Sequence, residues 1–388
     1  MMKIGILTQP LRSNYGGILQ AYALQQILIR LGYNPIVLNR DFDYPPFRLF
    51  LLRCASVVKC VFRKYVLGKR NIRISNPLST DYMIYKNEYY DNIELQSFIK
   101  HHITRTCVLR SSKLLKLYVK FNGLRCFIVG SDQVWREAYS PCITDYFLHF
   151  LPKGGGYKKI SYAASFGVKK TDISNDKLLL CADGLKSFDA ISVREETGVD
   201  IVNTISGMKA TLVLDPTLLL KAEDYSVLID AQDKKSKSGI VCYVLDPDDG
   251  KWSIMNDVAF SLGRETTLLS LCPKDDNGNN NKLVSVSKWL SSIANADFVV
   301  TDSFHGCVFS VIFQKNFIAI ANQDRGIDRF CTLLKSLRLA DRLVFSYDEY
   351  LKKKKALLAV INYCNVKNKL EALRANSMFF LRKSLKDC

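Results

Sequence analysis

The sequence predicts an α/β fold made of two halves, each with its own doubly wound parallel sheet. Short β-rich runs alternate with helical patterns along most of the chain, an order typical of parallel strands joined by helices. The polar stretch 231–239 separates two such series and is predicted as a linker between the halves. With 388 residues, 48% of them apolar, the chain can fill two cores.

The predicted strands each end in a small, polar or turn segment. In the first half they are 3–8, 36–39, 126–130, 159–163, 190–193 and 212–214, and in the second half they are 240–245, 267–271, 298–301 and 317–321. The clearest helix is predicted over 17–31, because Leu24, Leu28 and Leu31 recur at helical spacing. Gly32 can end that helix.

These elements divide the chain into three regions. Residues 1–230 form the first α/β domain, which is interrupted by a basic helical insertion at about 41–125. Residues 240–345 form the second α/β domain. Residues 346–388 are predicted as a basic helical tail.

Composition excludes several classes of protein. No run approaches the roughly 18 apolar residues of a membrane-spanning helix, and the first apolar stretch is too short for a signal peptide. The twelve cysteines are scattered without a C-x-x-C pair, so we expect reduced thiols in a cytoplasmic protein. The missing pairs and the presence of only four histidines also argue against a structural zinc site.

The net charge of +18 is unevenly distributed. Residues 48–80 hold eight Lys or Arg and no acid, and residues 351–388 hold ten Lys or Arg and two acids. Such surfaces attract polyanions, and composition leaves nucleic acid, anionic lipid and phosphorylated substrates open.

Segment 48–70 has the pattern of a basic amphipathic helix. One face carries Phe50, Val57, Val61 and Tyr65, and the opposite face carries Arg48, Lys59, Arg63 and Arg70. This pattern suits a helix that lies on an anionic membrane surface. An ordinary surface helix with a solvated basic face is the alternative.

The turn after the first predicted strand is a candidate ligand loop. It contains Asn14, Gly16 and Gly17 and leads into a helix, whose free N–H groups favour an anion. The spacing is neither that of a dinucleotide-binding fingerprint nor that of a phosphate-binding Walker loop. A tight turn without a ligand remains the alternative.

Polar side chains also follow the strand 126–130. Ser131, Asp132 and Gln133 can bind sugar hydroxyls at the carboxyl end of a parallel strand, where ligands bind in such sheets. Trp135 offers an apolar platform for a sugar ring. The alternative is a capped turn with a core tryptophan.

Two later strand ends carry charged candidates. Arg194 stands between a strand and a helix start, where a cation is useful if an anion binds, although a structural salt bridge is equally consistent. His305 follows the strand 298–301 at another helix start, a position suited to acid–base chemistry. After the strand 317–321, Arg325 and Arg329 can bind phosphate or line a solvated loop.

Taken in order, these motifs resemble those of the polysaccharide pyruvyl transferase family. The resemblance is carried by 15–24, 129–135, 162–167, 192–195, 215–217 and 302–306, and it spans about 3–340. It implies two facing Rossmann-like domains, similar to GT-B glycosyltransferases, with the active site in the cleft between them. It does not cover 41–125 or the basic tail.

The resemblance also implies a reaction. The donor would be phosphoenolpyruvate and the acceptor a sugar, often within a lipid-linked oligosaccharide, in capsule or exopolysaccharide biosynthesis. The basic stretches 48–80 and 351–388, together with their apolar residues, predict docking at the inner face of the plasma membrane without spanning it, and a lipid-linked acceptor would make such docking useful. No nucleic acid partner is expected.

By position in the family motifs, Arg194 and His305 correspond to residues at the donor. Some members carry an arginine where this chain has Ser303, so either Arg325 or Arg329 replaces that cation or donor binding differs.

The implied chemistry fits these residue types. The carboxylate and phosphate of phosphoenolpyruvate need cations. Ketal formation begins with protonation of the donor's methylene carbon, for which His305 is the candidate acid, and Asp132 is a candidate acceptor of the hydroxyl proton. Neither a cofactor nor a metal is expected.

Two other functions stay open at this point. A nucleotide-sugar-dependent glycosyltransferase on the same fold would need an acid in the second domain to bind ribose. A non-catalytic basic protein that binds membranes or nucleic acid would not need Arg194, Asp132 and His305 to converge.

Overall fold

Two parallel sheets carry the fold, one in each half of the chain. The structure, a computed structural model, describes residues 1–43, 47–68, 93–152, 154–234, 239–269, 283–322 and 325–386. The first sheet has the strand order β2 (Asn34–Val37), β1 (Lys3–Leu7), β3 (Cys126–Val129), β4 (Lys158–Ser161). The second has the order β11 (Leu343–Val344), β10 (Asn316–Ile320), β9 (Phe298–Thr301), β7 (Ile240–Tyr243), β8 (Thr266–Leu268). All neighbouring strands are parallel. The α/β class predicted from the alternation of strands and helices is confirmed.

The elements of the first half follow the predicted alternation. They are β1 (Lys3–Leu7), α1 (Tyr15–Arg30), β2 (Asn34–Val37), α2 (Phe47–Tyr65), α3 (Ile93–His102), α4 (Ser112–Asn122), β3 (Cys126–Val129), β4 (Lys158–Ser161), α5 (Asn175–Lys186), β5 (Ser192–Val193), α6 (Glu196–Ser206), β6 (Thr211–Leu212) and α7 (Ala222–Ser226). Isolated bridges from Ile160 to Ala190 and from Ala164 to Val193 join the β5–β6 pair to the edge of the sheet. Helices α2, α3 and α4 are the helices of the described residues within the insertion predicted at about 41–125.

The second half and the tail complete the fold. They contain β7 (Ile240–Tyr243), α8 (Asp249–Leu262), β8 (Thr266–Leu268), α9 (Val286–Asn295), β9 (Phe298–Thr301), α10 (Phe304–Ile312), β10 (Asn316–Ile320), α11 (Ile327–Ser336), β11 (Leu343–Val344), α12 (Tyr347–Leu357) and α13 (Tyr363–Ser384). Strands β3, β7 and β9 are buried along their whole length. Such continuous apolar runs are expected where helices cover both faces of a parallel sheet. No helix in the described part of the chain is long and apolar enough to cross a membrane.

Helix α1 joins the two halves. Its first residue, Tyr15, stacks on Trp289 of α9 with ring centroids 5.3 Å apart, and the Tyr15 hydroxyl donates to the Val284 carbonyl at 2.7 Å. Tyr243 meets both rings edge-on. This aromatic contact stabilises the helix start, so α1 begins two residues before the predicted 17–31. The carboxyl end of β1 is thereby held against the second half.

The tail does not extend away from the domains. Helix α12 packs on the second half, where the Tyr350 hydroxyl donates to Asp257 at 2.6 Å. Helix α13 returns to the first half, where Ser377 accepts from the Leu214 amide at 2.9 Å. Arg374 donates to the carbonyls of Leu218 and Leu220.

Arg374→Met should therefore destabilise the protein by about 1–3 kcal/mol, because it removes a charged donor from two buried carbonyls and keeps much of the apolar stem. Urea unfolding measures the change. Arg382→Met, on the exposed side of the same helix, is the matched control and should stay within about 0.5 kcal/mol of wild type. Equal effects of the two substitutions would contradict the anchoring role of Arg374.

Candidate active site

The carboxyl ends of both sheets meet at one buried polar cluster. The loops after β3 and β5 supply Asp132 and Arg194, and the first turn of α10, the helix that follows β9, supplies His305. All three residues are buried. Three of the strand ends on which the sequence placed candidate residues are thus brought together in the cleft between the halves.

The turn after β3 has an unusual backbone. Asp132 has φ of +76°, a conformation that aspartate tolerates better than most residues. Gly130 has φ of +120°, and a Cβ at this position would lie 2.2 Å from the Tyr162 carbonyl oxygen. Only glycine fits such a close approach. The turn directs the Asp132 carboxylate, whose Oδ1 accepts from the Gln133 amide at 2.9 Å, into the cleft.

Arg194 links two carboxylates. Its Nη2 donates to Asp132 Oδ1 at 2.8 Å, and its Nη1 donates to Asp215 Oδ2 at 2.6 Å. Its side chain is only 1% exposed, and a charge so deeply buried is tolerated only when it is paired. Its Nε is also buried and has no hydrogen-bond partner in the described part of the chain. Arg194 therefore makes the predicted salt bridge and keeps one donor without a partner.

Asp215 is the site residue that the sequence did not single out. Its Oδ1 accepts from the amide and hydroxyl of Thr217, at 3.1 and 2.7 Å. Its Oδ2 accepts from Ser131 Oγ at 3.0 Å and lies 3.8 Å from His305 Nε2. The sequence feature that could have identified Asp215 is its place in an Asp-Pro-Thr motif after the last strand of the first half.

His305 is enclosed by both halves. It lies in the first turn of α10, which is capped by Ser303, whose Oγ accepts from the Gly306 amide. On its other side is α1, and a Cβ at Gly16 would lie 1.9 Å from His305 Nδ1. The glycine predicted as part of a ligand loop therefore makes room for the histidine. His305 Nε2 is buried and has no hydrogen-bond partner among the described residues.

A second buried arginine faces this cluster from α11. Arg329 Nη1 lies 3.9 Å from Asp132 Oδ1. The guanidinium carbons of Arg194 and Arg329 lie 5.1 and 5.2 Å from the centre of the Phe304 ring. Such contacts place positive charge against an aromatic face. Phe304 thus holds two cations beside Ser303, the position where some family members carry an arginine.

The other predicted site residues lie further from this cluster. Trp135 is fully buried, donates to the Tyr146 carbonyl at 3.0 Å and stacks on Phe147, so its indole is a core side chain and not a platform for a sugar. The Gln133 side chain accepts from Arg136. Arg325 pairs with Asp246 in the second half.

Two residues of the predicted ligand loop remain near the site. Asn14 is exposed at the N-cap of α1. A Cβ at Gly17 would lie 3.4 Å from Asp132 Oδ2.

Burial and charge set the protonation states. Burial lowers the pKa of His305 to about 4, and the carboxylates of Asp215 and Asp132 oppose this shift only in part. Burial alone would raise the pKa of Asp132, but Arg194 and Arg329 outweigh it and lower that pKa to about 2. Burial beside Arg194 lowers the pKa of Arg329 to about 10. At neutral pH the site therefore holds a neutral histidine, ionised carboxylates and two cations.

Glu195 braces the loop after β4. Burial raises its pKa. Its Oε1 accepts from the Phe166 amide at 2.8 Å. Glu195 stands at the N-cap of α6, and its hydrogen-bond partner lies in a neighbouring loop. The described residues contain no cluster of three or more His, Cys, Asp or Glu that could hold a metal ion.

The fold and the site together define a GT-B-like protein with two Rossmann-like domains. A protein from Listeria monocytogenes assigned as a UDP-N-acetylglucosamine 2-epimerase matches with a TM-score of 0.51 and 9% identity, over 97% of this chain and 94% of that one. The S. aureus protein MnaA, in a co-structure with UDP, matches with a TM-score of 0.50 and 9% identity, over 100% of this chain and 97% of that one. At these identities the likeness shows the fold alone.

The family follows from the sequence comparison. The family model described as polysaccharide pyruvyl transferase matches residues 14–324, so the chain belongs to this family. The match includes Asp132, Arg194 and His305, whereas Arg325 and Arg329 lie just beyond it. The comparison with curated proteins finds no match.

The charges around His305 predict how two substitutions should shift its pKa. Asp215→Asn removes a negative charge that favours the imidazolium, so the pKa of His305 should fall below its wild-type value. Arg329→Gln removes a positive charge that opposes protonation, so it should raise that pKa. NMR titration of the histidine ring signals measures both shifts, with His305→Asn to assign the signal. A pKa near 6.5 that neither substitution moves would contradict the described electrostatics.

Proposed function

We propose that this protein transfers a pyruvyl group from phosphoenolpyruvate to two hydroxyls of one sugar, forming a cyclic ketal in capsule or exopolysaccharide biosynthesis. The observation that carries the proposal is the convergence of Arg194, Asp132, Asp215 and His305 at one buried point in a chain of this family. A non-catalytic binding protein has no need of such a cluster. Family membership supports transfer to a polysaccharide, and phosphoenolpyruvate as donor is our own inference.

The unpartnered polar atoms suggest how the donor binds. Phosphoenolpyruvate carries a carboxylate and a phosphate, each of which is recognised well by guanidinium groups. Arg194 keeps its Nε free of partners in the described residues, and Arg329 lies beside it across Phe304. Of the two arginines considered for the cation absent at Ser303, we propose Arg329, because Arg325 is engaged by Asp246 outside the cluster.

The proton for the methylene carbon would come from His305. Among the protein groups that surround it, this histidine is neutral at neutral pH, with a pKa of about 4. A multiply charged anion placed beside it would raise that pKa and favour the imidazolium. Donor binding would therefore charge the acid only when its substrate is present. Proton transfer from the imidazolium to the methylene carbon then produces the methyl group and positive charge at the neighbouring carbon.

Carbon–oxygen bond formation follows at that carbon. The first sugar hydroxyl attacks it and becomes strongly acidic, so even a weak base such as Asp132, with its pKa of about 2, can receive the proton. The bond from this carbon to the phosphate oxygen then breaks, and the second hydroxyl closes the ring. Of the two hydroxyl protons, one replaces the proton given by His305 and the other leaves with phosphate.

The acceptor and the location are also proposals. We propose a sugar, free or within a lipid-linked oligosaccharide, as the acceptor. The cytoplasmic location expected from the cysteine pattern remains a prediction. The described cysteines are unpaired.

A nucleotide-sugar-dependent glycosyltransferase is the competing function. One observation favours it: the fold is shared with MnaA, whose structure contains UDP. The second half does have acids at its strand ends, but Asp302 is engaged by Lys251 and Asn322. Asp246 is engaged by Arg325. The two functions can be distinguished by supplying labelled donors: a pyruvyl transferase transfers label from phosphoenolpyruvate, and a glycosyltransferase transfers it from a nucleotide sugar.

His305→Gln should lower turnover by about 10²–10⁴, because it removes the general acid. Labelled phosphoenolpyruvate is supplied with polysaccharide from cells that lack the protein, and transferred label is counted. His149→Gln, at an exposed histidine, is the matched control and should retain wild-type turnover. Transfer of label from nucleotide sugars, with none from phosphoenolpyruvate, would establish the competing function.

Gly16→Ala should lower turnover at least about 100-fold while the protein stays folded. The added methyl group cannot coexist with His305 in its present place, and a displacement of about 1 Å is enough for such a loss. Gly250→Ala is the control, because Gly250 is likewise the second residue of a helix and a Cβ there meets only Asp248, at 3.3 Å. Full activity in Gly16→Ala would show that His305 need not occupy this position.

A further inference from the structure

Helix α2 exposes an apolar stripe to solvent. Leu51, Val58 and Phe62 recur at helical spacing, and Val58 and Phe62 are 68% and 53% exposed. Arg53, on the opposite side of the helix, is 4% exposed. A surface helix of a globular protein normally has the reverse arrangement, with its apolar stripe turned inward. The apolar stripe of α2 is therefore available to a partner.

The sequence predicted a different face for this stripe. The predicted apolar face comprised Phe50, Val57, Val61 and Tyr65, of which Val61 and Tyr65 are exposed and Phe50 and Val57 are half-buried. The exposed stripe is rotated by about 100° from it, one residue along the helix. Arg70, placed by the sequence on the basic face, lies outside the described residues.

Helix α4 repeats the pattern within the same insertion. Leu114, Leu117 and Phe121 are exposed at spacings of three and four residues, and Phe121 is 80% exposed. The other face of α4 contributes Leu115 and Val119 to the core of the first half. Helix α4 thus combines a core-facing side with an apolar solvent side, and α2 combines a buried Arg53 with an apolar solvent side.

The charge of the two helices identifies the partner. Neither α2 nor α4 contains Asp or Glu. Basic side chains are exposed on both helices: Lys59, Arg63, Lys113, Lys116 and Lys120. Acid-free apolar stripes with adjacent cations match a bilayer that carries anionic headgroups, where cations bind phosphate and apolar side chains enter the acyl boundary. The phosphates of a nucleic acid would bind the cations, but a nucleic acid would leave the apolar stripes exposed to water.

We propose that the apolar stripes of α2 and α4 dock on an anionic lipid bilayer. Docking does not depend on the identity of the donor. Its link to the proposed function is that docking would bring the active site to a lipid-linked acceptor, which is held at such a surface. The apolar side chains would give a component of binding that survives high salt, in addition to an electrostatic component that does not.

The test is co-sedimentation with vesicles of equal parts phosphatidylglycerol and phosphatidylcholine, and with vesicles of phosphatidylcholine alone. Wild-type protein should sediment with the anionic vesicles at low salt and several-fold less at high salt. Val58→Glu/Phe62→Glu should weaken binding at least about tenfold, because it removes two apolar contacts and adds repulsion. Leu179→Glu/Phe260→Glu, at exposed apolar residues outside the insertion, should bind like wild type.

Charge reversal supplies a second comparison. Lys59→Glu/Arg63→Glu should weaken binding to anionic vesicles, whereas Lys352→Glu/Lys355→Glu on α12 should not. Thermal unfolding shows that each variant is folded. Each should also keep wild-type affinity for phosphoenolpyruvate, so that loss of docking is distinguished from failure of the donor proposal.

Each of the following three results would contradict the docking proposal. The wild-type protein would stay in the supernatant with anionic vesicles at low salt. The α2 variants and their controls would lose binding equally. Alternatively, the protein would bind heparin or RNA but not vesicles, which would identify a general polyanion binder.

Discussion

The pairing of Arg194 with Asp132 and Asp215 is the interaction on which the site depends. All three side chains are buried, so each charge requires its partner, and removal of one would leave another unpaired in a poorly solvated interior. Because the three residues follow different strands, their pairing fixes three loops relative to one another. The same Asp215 oxygen that accepts from Arg194 also lies beside His305. The ion pair therefore also fixes the negative charge that lies beside the candidate acid.

The site also requires contact between the halves. His305 and Arg329 come from the second half, and Asp132, Arg194 and Asp215 come from the first. Outside the cluster, Tyr15 stacks on Trp289, and Thr332 of α11 accepts from the Glu196 amide at the start of α6. These contacts bring the carboxyl ends of the two sheets together. The proposed chemistry therefore belongs to the assembled pair of domains and to neither one alone.

Much of this arrangement could be predicted because parallel strands place their carboxyl ends at one edge of a sheet. Asp132, Arg194 and His305 each follow an apolar run, which marks them as strand-end residues. Their convergence across the two halves was implied only by the family resemblance, because β9 belongs to a different sheet from β3. Strand β11 was missed because its two residues are too short for a periodic pattern. Asp215 was missed as a site residue because its importance lies in partners that are distant in sequence.

Two side-chain orientations also could not be predicted from the sequence. Trp135 follows a strand end as the site residues do, and whether such an indole faces a ligand or the core is decided by neighbouring aromatic rings such as Phe147 and Phe166. The segment that forms α2 contains apolar residues around most of its circumference, so periodicity alone did not determine which side faces solvent.

The central claim is that an anionic donor turns a neutral, buried histidine into an acid. It is tested most directly by NMR titration of His305 with and without phosphoenolpyruvate, a measurement that needs no acceptor. The account predicts that phosphoenolpyruvate raises the pKa of His305 from about 4 toward neutrality and that UDP-N-acetylglucosamine does not. If saturating phosphoenolpyruvate left this pKa unchanged while the nucleotide sugar bound, the account would be contradicted.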